Sequence, residues 1–160
     1  MIRAEMFLGT NDEEMQKAFA IRHEVFCKEQ NVPEDLEYDG QDTHAIHVLV
    51  HHKETPAATG RLLVMTGEAS LKFTLGRIAV LSQYRGQRLG DLVVRVLIRT
   101  AYDMGGEQQW ASVQVPAIGF YEKLGFKPTS EVYEDAGIPH VTMVHEGDVY
   151  GTCKDSKPNN

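Results

Sequence analysis

The sequence predicts one domain built on a mixed α/β sheet with flanking helices. The chain has 160 residues, which is close to the size of one ordinary domain. Hydrophobic residues make up 42% and charged residues 24%, the balance of a folded globular protein. Apolar patterns of helix and strand period alternate in the order helix, three strands, helix, strand, helix, strands, which is typical of a mixed sheet covered by helices.

The first predicted helix begins at Thr10 or Asn11. Acidic residues at 12–14 form a first turn that complements the positive end of the helix dipole. Apolar residues then recur at helical spacing until Pro33, whose ring disfavours helical geometry in the residue ahead of it. The acidic segment 33–42 that follows is predicted to be an exposed loop.

Three strands follow, and the first is marked by the alternation of Ile46, Val48 and Val50. The three are predicted at residues 45–51, 58–66 and 73–80. A polar loop at 81–88 leads into the most regular helix of the chain, which Gly105 and Gly106 end. Its apolar face consists of Leu89, Leu92, Val93, Val96, Leu97, Ala101 and Met104.

A further strand is predicted at 109–115, and Pro116 then begins a short helix, AIGFYEKL. Gly125 closes that helix, because glycine adopts the left-handed conformation found at many helix ends. The last strands are predicted near 126–133 and 140–145. We therefore expect a domain over residues 1–146, followed by a frayed tail at 147–160.

The composition argues against several classes of function. The net charge is −7, whereas a nucleic-acid-binding surface normally carries a basic excess. No apolar run approaches the roughly 20 residues that span a bilayer, and the N-terminus lacks a signal-peptide pattern. Cys27 and Cys153 do not make a disulfide framework. We expect a cytoplasmic protein that binds neither nucleic acid nor membrane.

The charge is unevenly distributed. Residues 1–60 carry 12 acidic and 5 basic side chains, so the whole excess is N-terminal. Residues 77–99 carry five arginines and one aspartate. An acidic protein that concentrates arginine in one segment is expected to bind an anion there.

The segment RGQRLG, residues 85–90, lies between a predicted strand and the start of the regular helix. Free N–H groups at a helix N-terminus bind anions. Gly86 and Gly90 leave room for a phosphate, and Arg85 and Arg88 add positive charge. The segment lacks the spacing of a P-loop or of a dinucleotide fold, so it predicts a different pyrophosphate cradle. A plain glycine turn with solvated arginines is the alternative.

These residues resemble the acetyl-CoA motif of the GNAT N-acetyltransferases, which is Arg or Gln, two residues, Gly, any residue, then Gly or Ala. Arg85 and Gly90 match its ends, while Arg88 stands where the middle glycine usually lies. AIGFYEKLGF is similar to the closing helix of the family, with Tyr121 as its tyrosine. The resemblance covers about residues 58–133. IRHEVFCKEQNVPEDLEYDGQD and GIPHVTM are similar to the ElaA-like and YjcF-like branch.

The resemblance implies a mostly antiparallel sheet, acetyl-CoA as cosubstrate and no metal. The main chain before the loop would hold the pantetheine arm, with the Val80 N–H polarising the thioester carbonyl, and Gln114 stands where many members have an asparagine on that arm. The residues implied for the cofactor are Ile78, Ala79, Val80, Arg85, Gly86, Gln87, Arg88, Leu89, Gly90, Asp91 and Gln114. The resemblance is compatible with a homodimer.

Tyr121 is the general acid by resemblance, because a phenol that is protonated at neutral pH can return a proton to the leaving thiolate. A packed aromatic ring is the alternative for Tyr121. The amine needs a base, since its pKa near 10.4 leaves little of it neutral at pH 7. No single base is selected, and the candidates are Glu29, Glu37, Asp39, His44 and His140.

The sequence thus predicts an N-acetyltransferase that moves an acetyl group from acetyl-CoA to a small primary amine in one step within a ternary complex. A non-catalytic CoA-binding or regulatory module is the alternative. The histidines of HAIHVLVHH lack an HExxH pattern, so no metal site is predicted there. Cys27 is predicted to be a buried structural thiol and Trp110 a core residue.

Overall fold

The structure, a computed structural model, describes residues 1–67 and 70–149. The helices are α1 (Asp12–Arg22), α2 (Glu34–Glu37), α3 (Leu89–Asp103) and α4 (Ile118–Lys123), and a π-helical segment (His23–Glu29) continues α1. The strands are β1 (Ile2–Leu8), β2 (Ile46–His52), β3 (Thr55–Thr66), β4 (Leu71–Val80), β5 (Gln108–Gln114), β6 (Lys127–Pro128), β7 (Tyr133–Asp135) and β8 (Ile138–Glu146). The predicted mixed sheet with flanking helices is confirmed.

The described strands form one sheet in the order β1-β2-β3-β4-β5-β8-β6, and β7 pairs with β8. The β4–β5 pair is parallel, and every other pair in this sheet is antiparallel. A parallel pair needs a long crossover, which α3 supplies between β4 and β5. The sheet is therefore mostly antiparallel, as the family resemblance implied.

Helices cover both faces of the sheet. On one face, α3 packs its apolar stripe on the central strands through residues such as Val93 and Leu97, which are fully buried. On the other face, Ile21 and Val25 of α1 and its π-helical continuation pack on Leu49 and Ala79. The apolar periodicity of α3 predicted its buried face, except that Met104 is exposed and Val94 and Ile98 are buried instead.

Two predictions about the N-terminal third need correction. No strand was predicted at the N-terminus, whereas β1 is an edge strand with one exposed and one half-buried face. The segment 33–42 is exposed over most of its length, as predicted, but it contains α2 and buries the carboxylates of Glu37 and Asp42. Acidic residues are usually exposed to solvent, so the sequence alone predicts exposure for both. The fold instead pairs these two with buried arginines.

Smaller differences concern single residues and the chain end. Cys27 is partly exposed, and Trp110 is half-buried with Lys72 Nζ 4.8 Å from its ring centroid, so neither is a core residue. Within the predicted tail, Gly147 donates its N–H to Glu107 O at 2.8 Å and Val149 packs on the core. Residues 150–160 lie outside the described residues, so fraying there stays a prediction.

Candidate active site

The site lies where β4 and β5 separate. Their parallel pairing covers only three residue pairs, from Phe73–Gln109 to Leu75–Ala111. Past those pairs β4 continues along β3 while β5 continues along β8. A cavity of about 460 Å³ opens at this separation. Because no strand of the described residues pairs with this edge of β4 there, main-chain groups on that edge are left for a ligand, apart from the Val80 carbonyl, which Arg85 binds.

A β-bulge in β4 shapes one wall of the cavity. Arg61 pairs with Gly76 while Thr59 pairs with Ala79, so β4 holds one extra residue at this point. Arg77 has φ 53°, in the left-handed region that non-glycine residues rarely adopt. The bulge reverses the alternation of the strand. The side chain of Arg77 therefore points to the face of the sheet on which α1 and α2 lie.

The N-terminus of α3 is open. The first helical hydrogen bond runs from Leu92 N–H to Arg88 O at 3.1 Å, and the cap residue Arg88 makes no side-chain capping bond. The N–H groups of Leu89, Gly90 and Asp91 precede that bond and have no acceptor within the helix. The geometry provides what the predicted pyrophosphate cradle needs.

The two positive-φ residues of the turn explain its sequence. Gly86 has φ 82°, where a Cβ would be strained. Arg88 has φ 62°, so this arginine holds the glycine-like conformation at the position where the family motif usually has glycine. Arg88 is 80% exposed in its side chain. Its departure from the motif is thus accommodated in the backbone, and its guanidinium extends into solvent beside the turn.

Arg85 is bound within the protein. Its Nε donates to Val80 O at 3.0 Å, and its Nη2 lies 2.9 Å from Glu29 Oε2. Leu81 donates its N–H to Ala57 O on β3, so by strand alternation the N–H of Val80 points to the opposite edge, toward the opening. On that edge, the carbonyl oxygen of Val80 accepts the hydrogen bond from Arg85, and the N–H of Val80 is left for a ligand.

The other predicted cofactor residues lie on β4, on β5, in the turn before α3 and in its first turn, and only some of them face the opening. A Cβ on Gly90 would lie 3.5 Å from Val80 Cγ2 and 3.6 Å from Phe120 Cζ, so Gly90 lies between the end of β4 and α4. Gln87 is exposed, Leu89 is buried, and Asp91 pairs with Arg95 at 2.8 Å. Ile78 and Gln114 line the cavity, while Ala79 is buried against α1.

Tyr121 lines the cavity from α4 and is also part of the core. Its ring packs edge-on against Phe120 and Phe126, with centroids 5.2 and 5.3 Å away. Burial raises the pKa of Tyr121, so the phenol is protonated at every physiological pH. The structure therefore combines the two interpretations of this residue: the ring is packed, and it borders the cavity.

The five candidate bases separate into two groups. Glu37 and His140 line the cavity, whereas His44 is exposed elsewhere and Glu29 pairs with Arg85. Burial alone would raise the pKa of Asp39, but hydrogen bonds from Arg61 and from the Gln41 N–H hold it at about 2. Asp39 is thus a permanent anion and a poor base.

Sequence reasoning missed a buried ion network behind the cavity wall. Arg22 Nε lies 2.7 Å from Glu37 Oε1, and its Nη1 lies 2.7 Å from Asp42 Oδ1. Arg61 pairs with Asp39 and Asp42 at 2.9 and 3.1 Å. The chain separations of 15 to 22 residues give no periodic signal. The one indication of this network in the sequence was the position of two arginines within apolar stretches, Arg22 in a helix and Arg61 in a strand.

The described residues hold no cluster of three or more histidine, cysteine, aspartate or glutamate side chains that could bind a metal ion. No helix in the described part of the chain is long and apolar enough to cross a membrane.

The mostly antiparallel sheet with its flanking helices is the fold of solved acyl-CoA N-acyltransferases. The crystal structure of an acyl-CoA N-acyltransferase from Pseudomonas aeruginosa has a TM-score of 0.81 and 25% identity, over 91% of this chain and 99% of that chain. The crystal structure of ElaA from Escherichia coli has a TM-score of 0.80 and 26% identity, over 91% of this chain and 100% of that chain.

Residues 10–146 match the family model described as an acetyltransferase (GNAT) domain, so the chain belongs to this family, which transfers acyl groups from CoA donors. The Bacillus subtilis protein described as uncharacterized N-acetyltransferase YjcF is 35% identical over 140 residues, 87% of this chain and 97% of that protein. The predicted family and its ElaA-like and YjcF-like branch are confirmed.

Proposed function

We propose that this protein is an N-acetyltransferase that moves an acetyl group from acetyl-CoA to the primary amine of a small molecule, in one step within a ternary complex. The observation that carries the proposal is the opening between β4 and β5. The end of β4 lies beside the open N-terminus of α3, where Val80 neighbours Gly90, and Ile78 of the same strand borders the cavity that Tyr121 also lines. We further propose that the protein acts in the cytoplasm.

The residues at the opening fit CoA. The N–H groups of Leu89, Gly90 and Asp91, with the left-handed turn at Gly86 and Arg88, would bind the diphosphate. Arg88 would add charge from the solvent side, and Arg85 would fix the turn against Val80 and Glu29. Ile78, Ala79 and Val80 would place the pantetheine arm along the free edge of β4, and Gln114 would face it from β5.

When bound, acetyl-CoA supplies a thioester whose carbonyl carbon the amine attacks, so that an amide forms and the thiolate leaves. The Val80 N–H points to the same edge and would stabilise negative charge on the carbonyl oxygen. The phenol of Tyr121 would donate a proton to the leaving sulfur, because its raised pKa keeps the proton available.

The amine must lose a proton before or during attack. Glu37 and His140 are the candidate bases that border the cavity. His140 Nδ1 is hydrogen bonded to Ile138 O at 2.6 Å, which leaves Nε2 as its second ring nitrogen. We propose that a water chain ending at His140 or Glu37 removes the proton, because both side chains border the cavity in which the amine would bind.

Release of CoA from acetyl-CoA tests this proposal. Polyamines, amino sugars, amino acids and peptides are offered as acceptors, and free CoA is separated by chromatography. Thiol-reactive dyes are avoided because the chain has two cysteines of its own. Amine-dependent release supports an enzyme. Calorimetric binding of acetyl-CoA with no release for any amine would instead support the non-catalytic CoA-binding module.

A further inference from the structure

We propose that Arg77 binds a carboxylate of the acceptor, so that the acceptors of this site are amines with a carboxylate, the class of the amino acids. The inference rests on the proposed function, because it assigns the acceptor of the same site. It is argued from the position of Arg77, its unpaired N–H groups, the charges around it and the lining of the cavity.

The β4 bulge puts Arg77 on the cavity wall. Its φ of 53° lies in the left-handed region, a strained conformation for a non-glycine residue that tends to persist where function requires it. Without the extra residue of the bulge, strand alternation would turn this side chain to the α3 face. Arg77 instead lies against α2 and borders the cavity with a quarter of its side chain exposed.

Arg77 uses only part of its hydrogen-bonding capacity within the protein. Its Nε and Nη2 contact Glu37, the Leu36 carbonyl and Asp39 at 3.1 to 3.4 Å. Its Nη1 has no hydrogen-bond partner among residues 1–67 and 70–149. The Nε and Nη2 side of the guanidinium is thus bound within the protein, and the N–H groups of Nη1 remain as donors for a ligand.

Arg77 is the accessible cation of the buried ion network. Three arginines, Arg22, Arg61 and Arg77, face three carboxylates, Glu37, Asp39 and Asp42. Arg61 and Glu37 also border the cavity, but their side chains are only 4% and 1% exposed. Any ligand anion in the cavity therefore reaches Arg77 before the rest of the network.

The charge of Arg77 is only partly compensated by its surroundings. Burial, followed by the charge of Arg61, lowers the pKa of Arg77 in spite of its acidic partners. A bound carboxylate would restore the favourable environment for the charged guanidinium, and arginine binds carboxylates through directional, charge-assisted bonds. On the other cavity wall lie Asp135 and His140 from the β7–β8 hairpin. A zwitterionic amine matches a cation on one wall and an anion on the other.

The rest of the cavity lining combines apolar and polar side chains. Phe26, Val32 and Leu36 border it from the side of α1 and α2, and Leu63 and Ile138 border it from the sheet. Uncharged polar groups of Gln30, Thr74, Ser112 and Gln114 lie in the same lining, so the cavity accommodates an apolar side chain of the acceptor without requiring one. Amino sugars and polyamines, which lack a carboxylate, fit the site less well than amino acids.

The test compares ligands that differ only in the carboxylate. N-acetyl-L-leucine and N-acetyl-L-leucinamide, and the corresponding phenylalanine pair, are titrated calorimetrically into the protein saturated with CoA. These product analogues carry no amine whose charge could differ within a pair. We expect the carboxylate of each pair to bind at least tenfold more tightly than its amide. In Arg77→Gln this difference should vanish, and Arg77→Lys should retain part of it.

Arg3→Gln is the matched control, because Arg3 lies on the edge strand β1 and pairs with Glu5 and Glu54 instead. It should preserve the full difference. Equal binding of acid and amide, or binding of neither, overturns the inference. That comparison uses the unmodified protein, so it is decisive even if Arg77→Gln fails to fold. The proposed function fails separately, through absence of CoA binding or of amine-dependent CoA release.

Discussion

Tyr121 both packs in the core and borders the cavity in which the reaction is proposed to occur. It is 8% exposed, its ring is fixed by Phe120 and Phe126, and it borders the cavity. A phenol in this position keeps its proton because burial disfavours the phenolate. Rigid packing also holds the hydroxyl in one place, which a proton donor to a leaving group requires.

Replacing Tyr121 with Phe should therefore lower kcat by roughly 100-fold or more, the range typical of general acid–base catalysis. The affinity for acetyl-CoA should change little, because the ring and its packing remain. Steady-state kinetics and calorimetry measure the two effects separately. Tyr102→Phe on α3 is the matched control and should leave both unchanged. An unaltered kcat in Tyr121→Phe would remove this residue from the mechanism.

At the residue scale, short motifs were predictable and long-range partners were not. Gly86, Gly90 and Tyr121 were identified because their motifs are contiguous in the sequence. Arg77 was noted only as one of five arginines, since the bulge that redirects it depends on its pairing with β3. Asp39 and Glu37 were named as candidate bases. Their ion pairs with arginines were not predicted, because the partners lie far away in the chain.

At the scale of elements, α3 links the sheet to the cofactor site. Its N-terminus opens at the end of β4, and its buried face packs on β3 and β4. Gly90 in its first turn leaves room between Val80 and Phe120. The helix therefore serves both as the crossover of the parallel pair and as the proposed anion-binding terminus.

Gly90→Leu should weaken acetyl-CoA binding at least tenfold, because the added side chain would occupy the space in front of the free N–H groups. Gly90→Ala should bind almost normally, since its Cβ makes only ordinary contacts of 3.5 and 3.6 Å. Calorimetric titration measures both. Gly119→Leu, on the exposed side of α4 where a Cβ meets nothing, is the control. Wild-type affinity in Gly90→Leu would argue against the anion site.

Gly60 brings α3 close to β3. A Cβ at this position would overlap Val93 Cγ1 and lie 2.9 Å from Ile78 Cδ1. Gly60→Val should therefore lower the free energy of unfolding by about 1–3 kcal/mol, the usual cost of overpacking a core. Urea denaturation measures it. Gly76→Ala, where a Cβ meets nothing within 4 Å, should change stability far less. Equal stability of the two variants would contradict the packing described.

Helices and strands were predictable where apolar residues recur at regular spacing on one face. The strands β2 to β5 and the helix α3 lie within three residues of their predicted bounds, because each buries a periodic apolar face. The predicted strand at 126–133 is instead two short pieces, β6 and β7, that both pair with β8. β1 was missed although its side chains alternate, because its apolar residues Ile2, Ala4, Met6 and Leu8 lie on the exposed face and so do not mark a core face.

At the scale of the whole molecule, buried histidines couple stability to pH. His47, His51 and His145 are 1%, 4% and 3% exposed, and burial lowers the pKa of each. In the unfolded chain the same groups titrate near 6.5. Below that pH the unfolded state takes up more protons than the folded state, so acidification favours unfolding.

The free energy of unfolding should therefore be greatest above pH 6.5 and should fall progressively between pH 6.5 and pH 5. The stabilisation by the Asp39 carboxylate is fully present in this range, and it is lost only as the pH falls from its ordinary pKa of 3.8 toward about 2. Urea denaturation at a series of pH values measures the slope. His51→Leu should reduce the slope, and His44→Leu at an exposed position should not. Stability that is constant or higher at pH 5 would contradict this assignment.

The central claim is that main-chain N–H groups at the end of β4 and at the start of α3 bind the acyl donor. Nitrogen-15 NMR of the 160-residue chain, titrated with acetyl-CoA, tests it most directly. The largest shifts of amide signals should occur at residues 78–80 and 86–91, with small shifts along β1 and β2. If acetyl-CoA leaves the signals of 86–91 in place, or moves another surface instead, the assignment of this site is contradicted.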